Sequence, residues 1–294
     1  MVAVGIKSVL AEMNQGRKQS TTNSIRAFFL PFALIAIAHV AALAQRPTPK
    51  IPFAPGEQLF YEAEFTKGLL RGANIGEFRF SVQTSPTEAS NDDPLRLVGD
   101  VVSKGLFTKL AGIHFHEHVE SIVNPEQFTP LRTNKLDEQG KRVRVSEAVF
   151  DHNRRKVTWS ERDPNQAQPA RATTVDFTEP VQDILSMIYF MRTQPLEVGK
   201  TFDVAVSDSG RVFRMTVAVV ERKRIKSAFG RVEAVRIEPA MFGEGRMLRG
   251  EGEMSIWITE DSRRLPVWAH LNVPAGTVDI KLKRVSNQRT VDAR

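Results

Sequence analysis

Histidine side chains concentrate in one short stretch of the sequence, residues 113–120. Three of the six histidines in the chain, His114, His116 and His118, alternate there with other residues and are followed by Glu120. Alternate side chains of a β-strand lie on one face, about 6.5–7 Å apart along the backbone. Zinc and copper accept imidazole nitrogens and carboxylates as ligands. The spacing therefore indicates a candidate metal site on His114, His116 and His118, of the kind that a metal-dependent hydrolase would use.

The same alternation has a simpler interpretation. Phe115 and Val119 would face a core while the histidines face solvent without a metal, on a surface that titrates near a pH of about 6.5. No other stretch forms a catalytic constellation. Ser186 and Asp183 have no histidine linked to them by a motif. The sequence does not give the distance between the carboxylates of the first predicted strand, so it does not identify a glycosidase pair. We predict no catalytic residue and no cofactor.

One segment, about residues 179–193, predicts the principal helix of the fold. Its apolar side chains follow the spacing of one helical face, and Thr178 or Glu179 would cap a helix whose first turn holds Pro180. Gln194-Pro195 ends it. We expect one stripe to be buried against the sheet and Gln182 to face solvent. The buried stripe comprises Ile184, Leu185 and Ile188.

The rest of the chain after residue 56 alternates between polar and apolar residues in short runs separated by turn signals. Such runs predict β-strands. The predicted strands lie near residues 57–65, 73–82, 95–103, 113–123, 128–135, 142–150, 155–161, 171–177, 200–207, 211–225, 231–240, 251–259, 265–273 and 276–285. Residues 243–252, which contain two Gly-Glu-Gly triplets, lack the context of a phosphate-binding loop and predict a flexible connection. The fold class expected is mainly β, with antiparallel strands in a curved sheet, roll or partly open barrel or sandwich.

The beginning of the chain has the features of an export signal. Residues 27–44 are uncharged and mostly apolar, follow Arg26 and end in Ala42-Leu43-Ala44, a small-x-small pattern for signal peptidase. We expect cleavage after Ala44 and a periplasmic protein, with an uncleaved inner-membrane anchor as the alternative. Translation starts at Met1 or Met13. We divide the chain into four predicted segments: a signal or anchor at 1–44, a proline-rich, disordered linker at 45–55, one β-rich domain at 56–286 and a tail at 287–294.

Composition limits the classes of function. The chain has 41 Lys and Arg against 34 Asp and Glu, a net charge of +7, without a long basic run, so no nucleic-acid partner is predicted. The absence of cysteine excludes disulfides and thiol chemistry.

Several segments together resemble a bacterial family of exported proteins, domain-of-unknown-function family 3108 (DUF3108), over residues 56–285. The matching pieces are Gly56-Glu57-x-Leu59-x-Tyr61, Ile75-Gly76, Phe150-Asp151, Asp183-Ile184-Leu185-Ser186 with Tyr189 and Arg192, Leu196-x-x-Gly199, Trp257-Ile258-Thr259-x-Asp261, Arg263-Arg264-Leu265-Pro266-Val267 and Gly276. The resemblance implies an envelope location and a β-rich fold, and supplies no activity or catalytic residues. The histidine trio is outside the matching pattern.

Three functions fit these observations. The first is a non-catalytic envelope protein that binds a lipid, a glycan or a protein partner on a curved sheet, and it contacts a membrane only through the N-terminal segment if that segment is uncleaved. The second is a metal-dependent hydrolase that uses the histidine strand. The third is a structural scaffold that contacts envelope proteins through strand edges.

Overall fold

A computed structural model describes residues 51–84, 94–105, 112, 114–167 and 169–287. The described chain is mainly β, with a single helix, α1 (Ile184–Thr193). The strands are β1 (Glu57–Lys67), β2 (Leu70–Thr84), β3 (Leu95–Ser103), β4 (Phe115–Asn124), β5 (Thr129–Gln139), β6 (Arg142–Asp151), β7 (Lys156–Arg162), β8 (Arg171–Asp176), β9 (Val181–Asp183), β10 (Thr201–Asp208), β11 (Arg211–Ser227), β12 (Gly230–Pro239), β13 (Glu253–Thr259), β14 (Pro266–Val273) and β15 (Gly276–Asn287).

All fifteen described strands belong to one sheet, in the order β8-β7-β6-β5-β4-β3-β2-β1-β15-β14-β13-β12-β11-β10-β9. Neighbours in the sheet are neighbours in sequence except where β1 pairs with β15, so the first and last strands lie side by side at its centre. Every pair is antiparallel except β9 with β10. The described sheet is open, because its edge strands β8 and β9 do not pair with each other. The predicted fold class, a curved, mainly antiparallel sheet with one principal helix, is confirmed.

The sheet curls around α1, which packs on its concave face. Inward and outward residues alternate, as in β1, where Leu59, Tyr61, Ala63 and Phe65 are buried. The curl brings β7 of one half close to the turn between β10 and β11 of the other. Gly210 in that turn has φ +72°, and a Cβ atom there would lie 3.2 Å from Cε3 of Trp159. Only glycine satisfies both the turn and the approach of the indole.

The predicted start and cap of the helix are wrong. α1 begins at Ile184 rather than 179, and Asp183 rather than Thr178 or Glu179 is its N-cap. The Asp183 carboxylate accepts a hydrogen bond from the Ser186 amide (2.7 Å), and the Ser186 hydroxyl accepts one from the Asp183 amide (3.0 Å). This reciprocal capping box fixes the start of the helix. The preceding residues instead form β9, whose main chain pairs with β10.

The prediction that Gln182 faces solvent is also wrong. Gln182 is 1% exposed, because it lies in β9 rather than on the helix, and its Nε2 donates to the Phe128 carbonyl (2.8 Å). The burial of Ile184 and Leu185 is confirmed, and Ile188 is half-buried against the same core.

The linker is not disordered over residues 51–55, where the description begins. Phe53 packs edge-on against Phe128 (5.5 Å between centroids) and Tyr189 (4.9 Å). The apolar segment 27–44 and the rest of the linker lie outside the described residues. Among the residues that are described, no helix combines the length and hydrophobicity needed to cross a bilayer.

Candidate functional site

The histidine stretch forms part of β4, on the outer face of the sheet. His116, His118 and Glu120 are half-buried and alternate with Glu117 and Val119, which are buried on the inner face. The predicted alternation is therefore present for these residues. His114 precedes the strand and is exposed.

The two strand histidines bond to carboxylates on neighbouring strands. His116 Nδ1 lies 2.8 Å from Glu138, and His118 Nδ1 lies 2.7 Å from Asp100, with His118 Nε2 3.3 Å from Glu120. Burial alone would lower the pKa of His118, but the two carboxylates outweigh it and raise that pKa. In the part of the chain that the structure describes, no three His, Asp or Glu side chains are grouped closely enough to hold a metal. The metal site on His114, His116 and His118 stays a hypothesis.

Three of the segments that carry the family resemblance, those with Glu57, Arg192 and Arg263-Arg264, meet inside the fold. The guanidinium of Arg192 is fully buried and donates to both carboxylate oxygens of Glu57 (2.6 and 2.9 Å) and to the main-chain carbonyls of Arg263 (2.8 Å) and Arg264 (3.1 Å). It also stacks 4.8 Å from the ring centroid of Phe53. These contacts join the helix, the first strand and the 263–264 turn.

A small cavity of about 50 Å³, lined by both charged and apolar side chains, lies at the N-terminal end of α1. Glu117 lines it at 2% exposure, and its Oε1 has no hydrogen-bond partner among the described residues. Burial raises the pKa of Glu117. Burial alone would lower the pKa of Lys135 across the cavity, but the surrounding carboxylates of Glu117, Asp208 and Asp137 outweigh it and raise that pKa. A cavity of this size and polarity suits a few water molecules or a small polar group.

An apolar cavity of about 40 Å³ lies between α1 and the concave face. Four of its lining side chains are methionines, two on the helix (Met187, Met191) and two on the sheet side (Met241, Met254). Methionine is unbranched and flexible, so such a lining can rearrange around an apolar guest.

A surface groove of about 490 Å³ adjoins this cavity from outside the sheet. β12 and β13 pair only over residues 234–237 and 256–259, and the loop 240–252 separates them further along. Pro239, Met241 and Met254 line both the groove and the apolar cavity. These three side chains thus form the wall between this groove and the apolar interior.

Sequence reasoning missed this site. Its lining residues are scattered from Tyr61 to Ile280 and belong to ordinary strand patterns. The one local signal is the pair of Gly-Glu-Gly triplets, which mark the loop that holds β12 and β13 apart.

Comparison with known proteins gives a family and a fold. The family model described as "Protein of unknown function (DUF3108)" matches residues 61–283. The β-barrel-like protein of domain of unknown function DUF1849 from Brucella abortus is 10% identical, with 80% of this chain and 98% of that chain covered and a TM-score of 0.54. A predicted exported protein with a YmcC-like fold from Bacteroides fragilis is 7% identical, with 81% and 98% covered and a TM-score of 0.34. No curated protein matches the chain at a significant level.

Proposed function

We propose a binding function for this chain, which belongs to the DUF3108 family of proteins of unknown function. The protein is an exported, non-catalytic component of the cell envelope that binds the apolar chain of an amphiphile inside its curved sheet. The observation that carries the proposal is the wall of Pro239, Met241 and Met254, which separates a surface groove from an apolar interior cavity.

Size is the first argument for access through this wall. Ligand pockets usually enclose about 300–1,000 Å³. The interior cavity, at about 40 Å³, is far below that range, whereas the groove, at about 490 Å³, lies within it. Rotation of the Met241 and Met254 side chains would join the two spaces, because their thioether chains have several low-energy rotamers.

Chemistry divides the joined space into two parts. The interior part is lined by aliphatic, aromatic and methionine side chains, which suit an acyl chain. The groove carries Arg236, Glu238, Glu253, His270 and Asn272 at its rim, which suit a polar headgroup. An amphiphile with its chain inward and its headgroup at the rim satisfies both parts.

The envelope location is supported by the sequence alone. Residues 27–44 have the composition of a signal segment and end in Ala42-Leu43-Ala44. Amphiphiles are abundant in the envelope, so a periplasmic protein would meet its ligand there.

Binding of 11-(dansylamino)undecanoic acid to the purified protein tests the proposal. Dansyl fluorescence should rise saturably with wild type. Met254→Trp should weaken binding by about tenfold or more, because the larger indole fills space that the chain of the probe would occupy. Met254→Ala should speed release of the probe. Met215→Ala is the matched control, since Met215 is equally buried (2% against 5%) and lines neither space.

Two results would contradict the proposal. One is the absence of saturable binding by wild type, which would favour a scaffold role. The other is equal binding by wild type and a folded Met254→Trp variant, which would place the probe elsewhere on the protein.

A further inference from the structure

The hairpin of β11 and β12 concentrates positive charge that the whole-chain composition conceals. Residues 222–231 contain five basic side chains, all exposed, and no acidic one. The five are Arg222, Lys223, Arg224, Lys226 and Arg231. The composition suggests that the excess of positive charge is spread thinly over the chain, but five of the basic residues lie together in this hairpin.

This hairpin projects beyond the rest of the sheet. Toward the tip of the hairpin, pairing of β12 with β13 stops at Ala234, which lies opposite Thr259. Pairing of β11 with β10 stops at Ala218. Beyond the bond from the Glu260 amide to the Glu233 carbonyl (3.1 Å), residues 225–232 pair only with one another, and Ile225 and Val232 on one face of this segment pack against the core. The tip is a two-residue turn, Ala228-Phe229, and the Phe229 side chain is 43% exposed.

Three of the five basic side chains on the hairpin have no acidic partner among the described residues. Lys226 and Arg231 lie directly opposite each other in the strand register, a pairing of like charges that weakens a sheet. Lys223, Lys226 and Arg231 form no ion pair with any described residue, whereas Arg222 reaches Glu260 (2.7 Å) and Arg224 lies 3.8 Å from Glu233. An anionic surface would neutralise the three unpaired cations.

The register also shows which end of the sheet carries the tip. Following the pairs from β1 through β15, β14 and β13 to β12 places Gly230 at the same end as Glu57. The N-terminal part of the chain therefore reaches the sheet at the hairpin end, and the apolar segment 27–44 lies 13 residues before Glu57 in the sequence.

We propose that the β11–β12 hairpin docks on an anionic lipid bilayer, with Phe229 in the interfacial region and the basic side chains on lipid phosphates. Aromatic tips combined with lysine and arginine are suited to this boundary, since the ring enters the apolar edge while the charges stay with the headgroups. Phenylalanine rings also stack on nucleotide bases, so a soluble polyanion is the competing outcome of the test below. This docking does not depend on the ligand site proposed above.

Site-specific fluorescence tests the docking directly, because the chain contains no cysteine. The full chain carrying Ala228→Cys is labelled with a nitrobenzoxadiazole dye and mixed with vesicles of phosphatidylcholine, with or without phosphatidylglycerol. With phosphatidylglycerol, the emission should shift to the blue and be quenched by nitroxide-labelled lipid. The effect should decline as salt is added. Leu69→Cys is the matched control, since Leu69 is fully exposed between Lys67 and Arg71 in the hairpin at the opposite end of the sheet.

Variants in the labelled background identify the groups responsible. Phe229→Ser should abolish most of the blue shift, and Lys226→Glu with Arg231→Glu should remove its dependence on phosphatidylglycerol. A blue shift of equal size at Leu69→Cys would overturn the proposal, and so would a shift that does not depend on phosphatidylglycerol. No shift at Ala228→Cys would also overturn it and leave a soluble anionic partner for the hairpin. None of these results alters dansyl-probe binding to the interior site, so failure here is distinguishable from failure of the ligand proposal.

Discussion

Arg192 on the helix and Glu57 on the first strand, 135 residues apart in sequence, form a two-point ion pair in the interior, with N–O distances of 2.6 and 2.9 Å. Neither side chain is more than 8% exposed. The remaining guanidinium donors reach main-chain carbonyls at 52, 263 and 264. The pair therefore holds together the start of the sheet, the end of α1 and the turn between β13 and β14.

Removing one member of this pair should destabilise the protein strongly. Arg192→Met leaves the Glu57 carboxylate buried without its partner, and such changes cost about 3–5 kcal/mol. Urea unfolding measures the loss. Arg214→Met is the control, because the Arg214–Asp203 pair is exposed and exposed pairs contribute about 0–1 kcal/mol. Equal losses for both variants would show that the buried pair is not a main structural contact.

The strands of the fold are predictable from sequence because their information is local. Alternation and turn residues give β3 and β6 almost to the residue. The Arg192–Glu57 pair is not predictable in this way, since it depends on β1 pairing with β15 at the centre of the sheet, a contact between the two ends of the domain. The start of α1 was obscured for a related reason. Residues 181–183 share the helical spacing, but pairing with β10 makes them a strand.

The candidate ligand site has one local signal in the sequence, the pair of Gly-Glu-Gly triplets, and its lining side chains have none. Its wall is built from Pro239 at the end of β12, Met241 in the 240–252 loop and Met254 in β13, and they line one space because that loop separates β12 from β13. The histidine stretch has a clear pattern, and the structure reproduces its alternation. What the sequence could not show is that Glu138 and Asp100, on the strands beside β4, lie within hydrogen-bond distance of His116 and His118.

Stability should depend on pH through Glu117. Burial raises its pKa from 4.5, so the folded state holds the proton more tightly than the unfolded state. Its contribution to stability is present below pH 4.5 and declines as pH rises toward the folded-state pKa. Glu117→Gln should therefore gain stability relative to wild type across that rise, measured by thermal unfolding at a series of pH values.

Asp203 provides a comparison of opposite sign. Hydrogen bonds from Thr216 and Arg214 lower its pKa from 3.8, so its contribution is present above that pH and is lost as the pH falls through the folded-state pKa. Asp203→Asn should lose stability relative to wild type as pH rises through this region. The same sign for both variants would contradict the assignment of Glu117 to a desolvated cavity.

Metal analysis decides between the interpretations of the histidine strand. We expect protein purified without an affinity tag to contain no stoichiometric zinc or copper, because His116 and His118 are bonded to separate carboxylates on neighbouring strands. Elemental analysis measures the metal content. The opposite result would be one ion per chain that is lost in His116→Ala but kept in a variant of the distant His152. That result would establish the metal site and support a hydrolase function.

The packing of α1 and of the preceding strand β9 can be tested through Leu185 and Gln182, which are both buried but for different reasons. Leu185 is fully buried in the core, so Leu185→Ala should cost about 2–5 kcal/mol in the free energy of unfolding. Gln182→Ala should cost about 1–3 kcal/mol, because the buried Phe128 carbonyl loses the hydrogen bond that Gln182 donates to it. Lys141→Ala, in an exposed turn, should stay within about 0.5 kcal/mol and is the control for urea unfolding. A small effect of Leu185→Ala on unfolding, combined with faster release of the dansyl probe, would mean that α1 is a movable cover over the ligand rather than a fixed part of the core.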